Sequence, residues 1–230
     1  MNKRIQLSII AILMVFSSLF KVSAQDWPNL NKYAEANANL NTTNAPENRV
    51  VFMGNSITEG WVNKDPSFFT ENNYIGRGIG GQTTPQMLLR FRQDVIDLNP
   101  QAVVILAGTN DIAGNTGPMT SEQIFGNIVS MAELAEANGI KVIISSILPA
   151  AKYPWKPEVK SVKPILEINT MLKYYAKGKG HIYLDYYTAM VDDKNGIRGP
   201  LASDGVHPTL EGYKVMEPLA KAAIQKALTE

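Results

Sequence analysis

Apolar stretches alternate with polar, glycine-rich ones along the chain, and their periods define a series of elements. Residues 49–53 are a short β-branched and apolar run that stops at Gly54, as a buried strand does. A weaker strand over 73–76 runs into a glycine cluster. From 85 to 98 the apolar positions Met87, Leu88, Phe91, Val95, Ile96 and Leu98 repeat with a helical period, and Pro85 falls in the first turn, where proline is tolerated. Residues 102–107 are continuously apolar and predict a strand. The strongest helix spans 120–138. Thr120 and Gln123 form a capping-box pair, Ile124, Ile128, Met131 and Leu134 share one face, and Gly139 ends it. A strand over 140–145, a helix over 164–176, a strand over 181–185 and a final helix over 210–228 complete the series.

Five strands interleaved with helices predict an α/β fold, a three-layer α/β/α sandwich around a five-stranded parallel sheet. The strands are apolar throughout rather than alternating, as burial on both faces requires. No linker, repeat or low-complexity tract divides the chain, so residues 25–230 read as one domain. The Asn- and Ala-rich segment 26–48 predicts a helix packed outside the sheet. In an open α/β sheet ligands bind beyond the carboxyl ends of the strands, which directs attention to the loops that follow them.

Residues 1–24 read as a cleaved leader: a basic start with Lys3 and Arg4, sixteen uncharged residues over 5–20, and a small-x-small end at Ala24. The apolar run is shorter than the roughly 20 residues needed to span a bilayer. A lipid anchor is not expected either, because its attachment needs a cysteine. The mature chain then carries 19 basic and 21 acidic residues, since the leader holds three basic ones and no acid. Export without disulfides suggests a bacterial periplasm or exterior.

Composition excludes several classes of chemistry. With 45% hydrophobic residues and a net charge of +1, the chain is neither disordered nor a binder of nucleic-acid backbone. Having no cysteine, it holds no disulfide, catalytic thiol or iron–sulfur ligand. Only two histidines, His181 and His207, are present, so a multi-histidine metal site is excluded and a histidine base must be one of these two.

Four loops carry polar groups. Ser56 follows the first strand and Gly54, where its hydroxyl either caps a helix or projects into a cleft. After the second strand, Gly76, Gly78 and Gly81 match a G-x-G-x-x-G pattern in the wrong place for a dinucleotide. The better reading is that these glycines let a backbone N–H approach a ligand. The third strand ends in Asn110, an uncharged amide donor suited to a developing oxyanion. Before the last helix, Asp204 and His207 can bond one another, fixing the ring tautomer and leaving the second nitrogen as a base. Together these are the parts of an acyl-transfer site. His181, at the amino end of its strand, reads as structural, and Asp185 is given no role.

The four blocks resemble those of the SGNH/GDSL hydrolase family. Gly54-Asn55-Ser56-Ile57-Thr58 is similar to the serine block, Gly78-Ile79-Gly80-Gly81-Gln82-Thr83 to the glycine block, Gly108-Thr109-Asn110-Asp111 to the asparagine block, and Asp204-Gly205-Val206-His207-Pro208 to the acid–histidine block. Within the family the look is that of the branch similar to platelet-activating-factor acetylhydrolase and secreted bacterial acylesterases. Asn55 and Ile57 stand where the family motif has Asp and Leu; the Asn is expected to keep the turn through a local hydrogen bond. The resemblance implies a flavodoxin-like strand order 2-1-3-4-5, no metal and no cofactor. It implies Ser56 as nucleophile, His207 as base and Asp204 as its orienter, with the Ser56 and Gly81 N–H groups and the Asn110 side chain as oxyanion hole. Gly80 is the alternative to Gly81, which is preferred because it directly precedes Gln82-Thr83, where the family usually has Asp-Thr.

The expected activity is a serine ester hydrolase that removes short acyl groups, acetyl above all, from a carbohydrate or similar small ester. The chain has no inserted lid or long apolar hairpin for a fatty chain. Trp61, Tyr153 and Trp155 are expected to rim the cleft, where exposed rings could stack on sugar. A lysophospholipase or thioesterase acting on longer chains is the alternative, and a non-catalytic glycan-binding module a third. The expected partner is a small-molecule or glycan ester, not nucleic acid, with no stable membrane anchor; the oligomeric state is not legible.

Overall fold

The computed structural model describes residues 25–40, 43 and 48–229, so the leader read over 1–24 lies outside the described residues. Strands β1 (Val50–Gly54), β2 (Tyr74–Gly78), β3 (Ala102–Leu106), β4 (Lys141–Ser145) and β5 (Ile182–Leu184) form one sheet, all parallel, in the order β2-β1-β3-β4-β5. The helices are α1 (Ala34–Ala38), α2 (Ser56–Lys64), α3 (Pro66–Thr70), α4 (Thr84–Asp94), α5 (Thr109–Ile112), α6 (Ser121–Ala137), α7 (Val162–Lys179), α8 (Tyr186–Met190) and α9 (Leu210–Thr229). Among the described residues no helix is long and apolar enough to cross a membrane.

Successive side chains of a strand point to opposite faces, so an apolar strand feeds two cores. Val51, Met53, Val103, Ile105, Val142 and Ile144 pack against Phe91 of α4, Ile128 of α6 and Leu172 of α7. Val50, Phe52, Val104 and Ile143 face the other way and meet Ile57 and Trp61 of α2, Phe68 of α3 and Met216 of α9. Each fully buried aliphatic or aromatic side chain contributes about 1.5–3 kcal/mol. This double-sided burial fixes the sheet edge on which the polar loops sit.

The capping box before α6 is formed in both directions, with Thr120 N donating to Gln123 Oε1 (2.9 Å) and Gln123 N to Thr120 Oγ1 (3.3 Å). Two expectations need correction. The helix read over 85–98 ends at Asp94, followed by a 3-10 turn over Ile96–Leu98; the chain then reverses through Asn99 at φ 50° to enter β3. The segment 26–48 is not one helix. Its described residues hold a 3-10 turn (Leu30–Lys32) and the five-residue α1, because Asp26 takes the N–H groups of Leu30 and Asn31 and Pro28 precedes them. Helix α2 was left open as the helix Ser56 could cap, and α3 was not anticipated, since Gly60 and the Asp65-Pro66 break interrupt any long apolar period there.

Candidate active site

The position of Ser56 follows from two glycines. Gly54 and Gly78 are register partners at the carboxyl ends of β1 and β2. A Cβ on Gly54 would lie 2.1 Å from Thr58 Oγ1, and one on Gly78 would lie 2.2 Å from the Glu59 nitrogen. Only without these carbons can α2 start directly at the sheet edge. Asn55 caps that helix, its Oδ1 accepting from Ile57 N at 2.9 Å, which is the local bond expected of it. Ser56 is therefore the first helical residue rather than the cap, and its hydroxyl is available for another partner.

That partner is His207. Ser56 Oγ lies 2.9 Å from His207 Nε2, across 151 residues of chain. His207 Nδ1 lies 2.7 Å from Asp204 Oδ2. An ionised carboxylate only accepts, so Nδ1 carries the proton and Nε2 accepts from the serine hydroxyl. Asp204 Oδ1 also receives the backbone N–H groups of Val206 (2.9 Å) and His207 (2.7 Å), closing the turn on itself. Partial burial alone would raise the Asp204 carboxyl, but these hydrogen bonds from His207 and Val206 outweigh it and hold the group below the ordinary carboxylate value.

The glycine block offers one donor where the sequence offered two. Gly80 N donates to Glu59 Oε2 at 2.9 Å, so its N–H is already engaged. Among the described residues the N–H groups of Gly81 and Ser56 have no protein acceptor. Gly81 has φ +75°, a backbone conformation that favours glycine. Asn110 is buried in the first turn after β3, and its Nδ2 donates to the Gln82 carbonyl at 2.9 Å. An amide NH₂ has two hydrogens, so one remains for a ligand.

The three aromatic candidates separate. Trp155 is 38% exposed and its ring centroid lies 5.8 Å from that of His207. Tyr153 is fully buried beneath it, stacked at 5.2 Å, because the Tyr153–Lys156 bridge folds the loop back and lays the indole over the phenol. Trp61 is also buried, stacked between Phe68 (4.7 Å) and Tyr213 (5.3 Å). It lies four residues after Ile57 on α2 and so shares the helix face turned to the sheet. Neither Tyr153 nor Trp61 is a rim residue. His181 precedes β5 at the opposite sheet edge, 5.8 Å from the Tyr175 ring, and burial lowers its pKa. Asp185 caps α8 through Thr188 N at 3.0 Å.

Sequence reasoning missed Arg90. Its side chain is fully buried and makes four hydrogen bonds: Nε to Gln82 Oε1 (2.6 Å), Nη1 to Asp94 Oδ2 (2.9 Å), and Nη2 to the carbonyls of Gly54 and Arg77 (2.9 Å each). It thereby ties the end of the serine strand to the glycine block. Burial pulls its pKa down, opposed by the paired Asp94 carboxylate. Asp111 adds a second tie, Oδ1 accepting from Thr84 N (2.8 Å) and Oγ1 (2.6 Å) at the start of α4. The only local signal was an Arg–Asp pair four residues apart in a helix, which usually marks a solvated face.

The chain is similar to known proteins over most of its length. The sequence profile of the GDSL-like lipase/acylhydrolase family matches residues 52–215. A candidate acylhydrolase from Bacteroides fragilis superposes with TM-score 0.87 at 54% identity, covering 89% of this chain and 100% of that one. A GDSL-like lipase from Bacteroides thetaiotaomicron superposes with TM-score 0.84 at 52% identity, covering 87% and 98%. The uncharacterised lipoprotein YqeF of Bacillus subtilis is 33% identical over 65% of this chain; the match spans 60% of that protein's length.

Proposed function

Because the chain belongs to the GDSL-like lipase/acylhydrolase family, we propose that it is a serine ester hydrolase removing short acyl groups, acetyl foremost, from a carbohydrate or similar small ester. The observation that carries this reading is the continuous Ser56–His207–Asp204 hydrogen-bond chain at the sheet edge. Ser56 Oγ attacks the ester carbonyl as His207 Nε2 takes its proton. Asp204 holds the ring and steadies the imidazolium. The oxyanion is received by the N–H groups of Ser56 and Gly81 and by Asn110 Nδ2, donors that are already oriented before charge develops. His207 returns the proton to the leaving alcohol, and water repeats the cycle on the acyl-enzyme.

The sugar alcohol rests on the rim, and the short acyl preference on the lack of an inserted lid or long apolar hairpin read from the sequence. Trp155 presents an exposed indole beside His207, on the side from which the leaving group is protonated. A leader over 1–24 and the lipoprotein relative support a location outside the cytoplasm. Intact-mass spectrometry after fluorophosphonate treatment tests the core of the proposal: wild type gains one adduct, mapped to Ser56, and Ser56→Ala gains none. Labelling at another serine, or full turnover by Ser56→Ala, removes the assignment. On acetylated oligosaccharides Trp155→Ala should raise KM; unchanged kinetics would remove the sugar reading.

A further inference from the structure

Beside the oxyanion-hole glycine lies a cavity of about 540 Å³, lined among others by Trp27, Asn29, Gly81, Gln86, Asn115 and Lys156. That volume falls within the range of sites for small organic ligands, but the lining is not of the usual apolar kind. Beside Asp26, Thr116 and Lys156, the polar lining holds four side-chain amides. They donate and accept in equal measure, as the hydroxyls of a sugar do. Part of the wall, Asp26, Trp27 and Asn29, comes from the segment 25–33, which precedes the residues matched to the family. Trp27 is 41% exposed there, in a molecule whose Trp61 is completely enclosed.

This wall is built rather than draped. Gln86 Nε2 donates to the Trp27 carbonyl (2.8 Å), Gln82 Nε2 to that of Pro28 (2.7 Å) and Gln93 Nε2 to that of Leu30 (2.6 Å). Lys32 pairs with Glu59 at 3.0 Å, and the other oxygen of that carboxylate holds Gly80. The Tyr33 hydroxyl donates to the Gly78 carbonyl. Across the cavity, Asn115 links the two ends of the cleft. Its Nδ2 donates to the Gly81 carbonyl at 3.2 Å, and its Oδ1 accepts from Trp155 Nε1 at 3.3 Å.

We propose that this cavity is a second sugar subsite, with Trp27 as its stacking platform, and that the substrates are acetylated oligosaccharides of two or more rings. The inference rests on the ester-hydrolase reading above. One ring carries the reacting ester beside Trp155 and His207; its neighbour lies between Asn115 and the 25–33 wall. Indoles suit this task because they offer a large rigid apolar face that sugar C–H groups cover.

The test measures kcat and KM on p-nitrophenyl acetate and on partially O-acetylated xylo-oligosaccharides of one to four rings. In the wild type, kcat/KM rises from one ring to two. In Trp27→Ala that rise is lost, and the ratio of oligosaccharide to nitrophenyl activity falls about threefold to tenfold, carried by KM. Trp27→Phe keeps a ring and recovers most of the ratio. A merely destabilised Trp27→Ala lowers both activities together and overturns the subsite, as does a wild-type profile flat with ring number. If the wild type cleaves neither substrate, the ester-hydrolase reading itself fails; activity on the nitrophenyl ester with a flat glycan profile refutes the subsite alone.

Discussion

Replacing Arg90 by methionine keeps an unbranched apolar stem, shorter than the original, while removing the charge and all five guanidinium donors. The largest single loss is the partner of Asp94, whose side chain is only 1% exposed. Breaking a buried ion pair from one side costs about 3–5 kcal/mol, because the remaining charge is left without compensation. Gln82 Oε1 is also orphaned, while the Gly54 carbonyl still accepts from Ile79 N at 3.2 Å. For a domain of this size each kcal/mol lowers Tm by about 2–4 °C, so Arg90→Met should melt about 6–20 °C early. Arg90→Met/Asp94→Leu removes both charges and should recover more than about 1 kcal/mol of the loss, since replacing a buried pair by apolar groups is often neutral. Recovery stays incomplete because Asn37 Nδ2, which donates to Asp94 Oδ1 at 2.7 Å, loses its acceptor. Urea unfolding of wild type, single and double variants measures these differences. A single variant within about 0.5 kcal/mol of wild type, the range of a surface change, would refute the account of Arg90 as the tie between the two strand ends.

Asn110→Ala should lower kcat by about 10²–10³ with little change in KM; a loss below threefold would remove Asn110 from the oxyanion hole. Trp61→Ala should destabilise the domain by about 3–5 kcal/mol through the cavity it leaves between Phe68 and Tyr213, while KM on acetylated glycans stays unchanged. A rise in KM with no loss of stability would restore it to the rim. Asp65 is buried; hydrogen bonding from Glu217, then from Lys214 (2.7 Å) and Ser67, holds its carboxyl well below the usual range despite burial. A depressed folded value means stability present above the unfolded value of about 3.9 and lost as pH falls through the folded one. The unfolding free-energy gap between wild type and Asp65→Asn, measured by urea, should therefore narrow steadily below about pH 4; a gap constant from pH 7 to 3 contradicts the assignment.

The sheet and the grouping of the candidate site residues were legible because both are local. Each strand is a continuous apolar run, and Ser56, Asn110 and the glycines stand at strand ends, where chain order alone places them on one edge. Asp204 and His207 lie three residues apart and need only one turn to meet. Side-chain direction was not legible where a helix had been left open. Without α2, nothing said that Trp61 shares a face with Ile57, and without the Tyr153–Lys156 bridge nothing said that Tyr153 lies beneath Trp155. Arg90 was hidden for a different reason. Its acceptors at Gly54 and Arg77 are backbone carbonyls 36 and 13 residues away, and carbonyls leave no trace in sequence. The 25–33 wall was equally silent, being joined to the domain through main-chain oxygens.

Asp204 and His207 form a miniature unit: the acid grips the imidazole and two amides of its own turn, and a single contact couples that unit to the serine. Warming or mild denaturant that loosens the segment ahead of α9 will thus move acid and base together, as a latch swings with its spring attached. Turnover should fade at lower urea than the far-ultraviolet dichroism, and cooling should restore it without refolding.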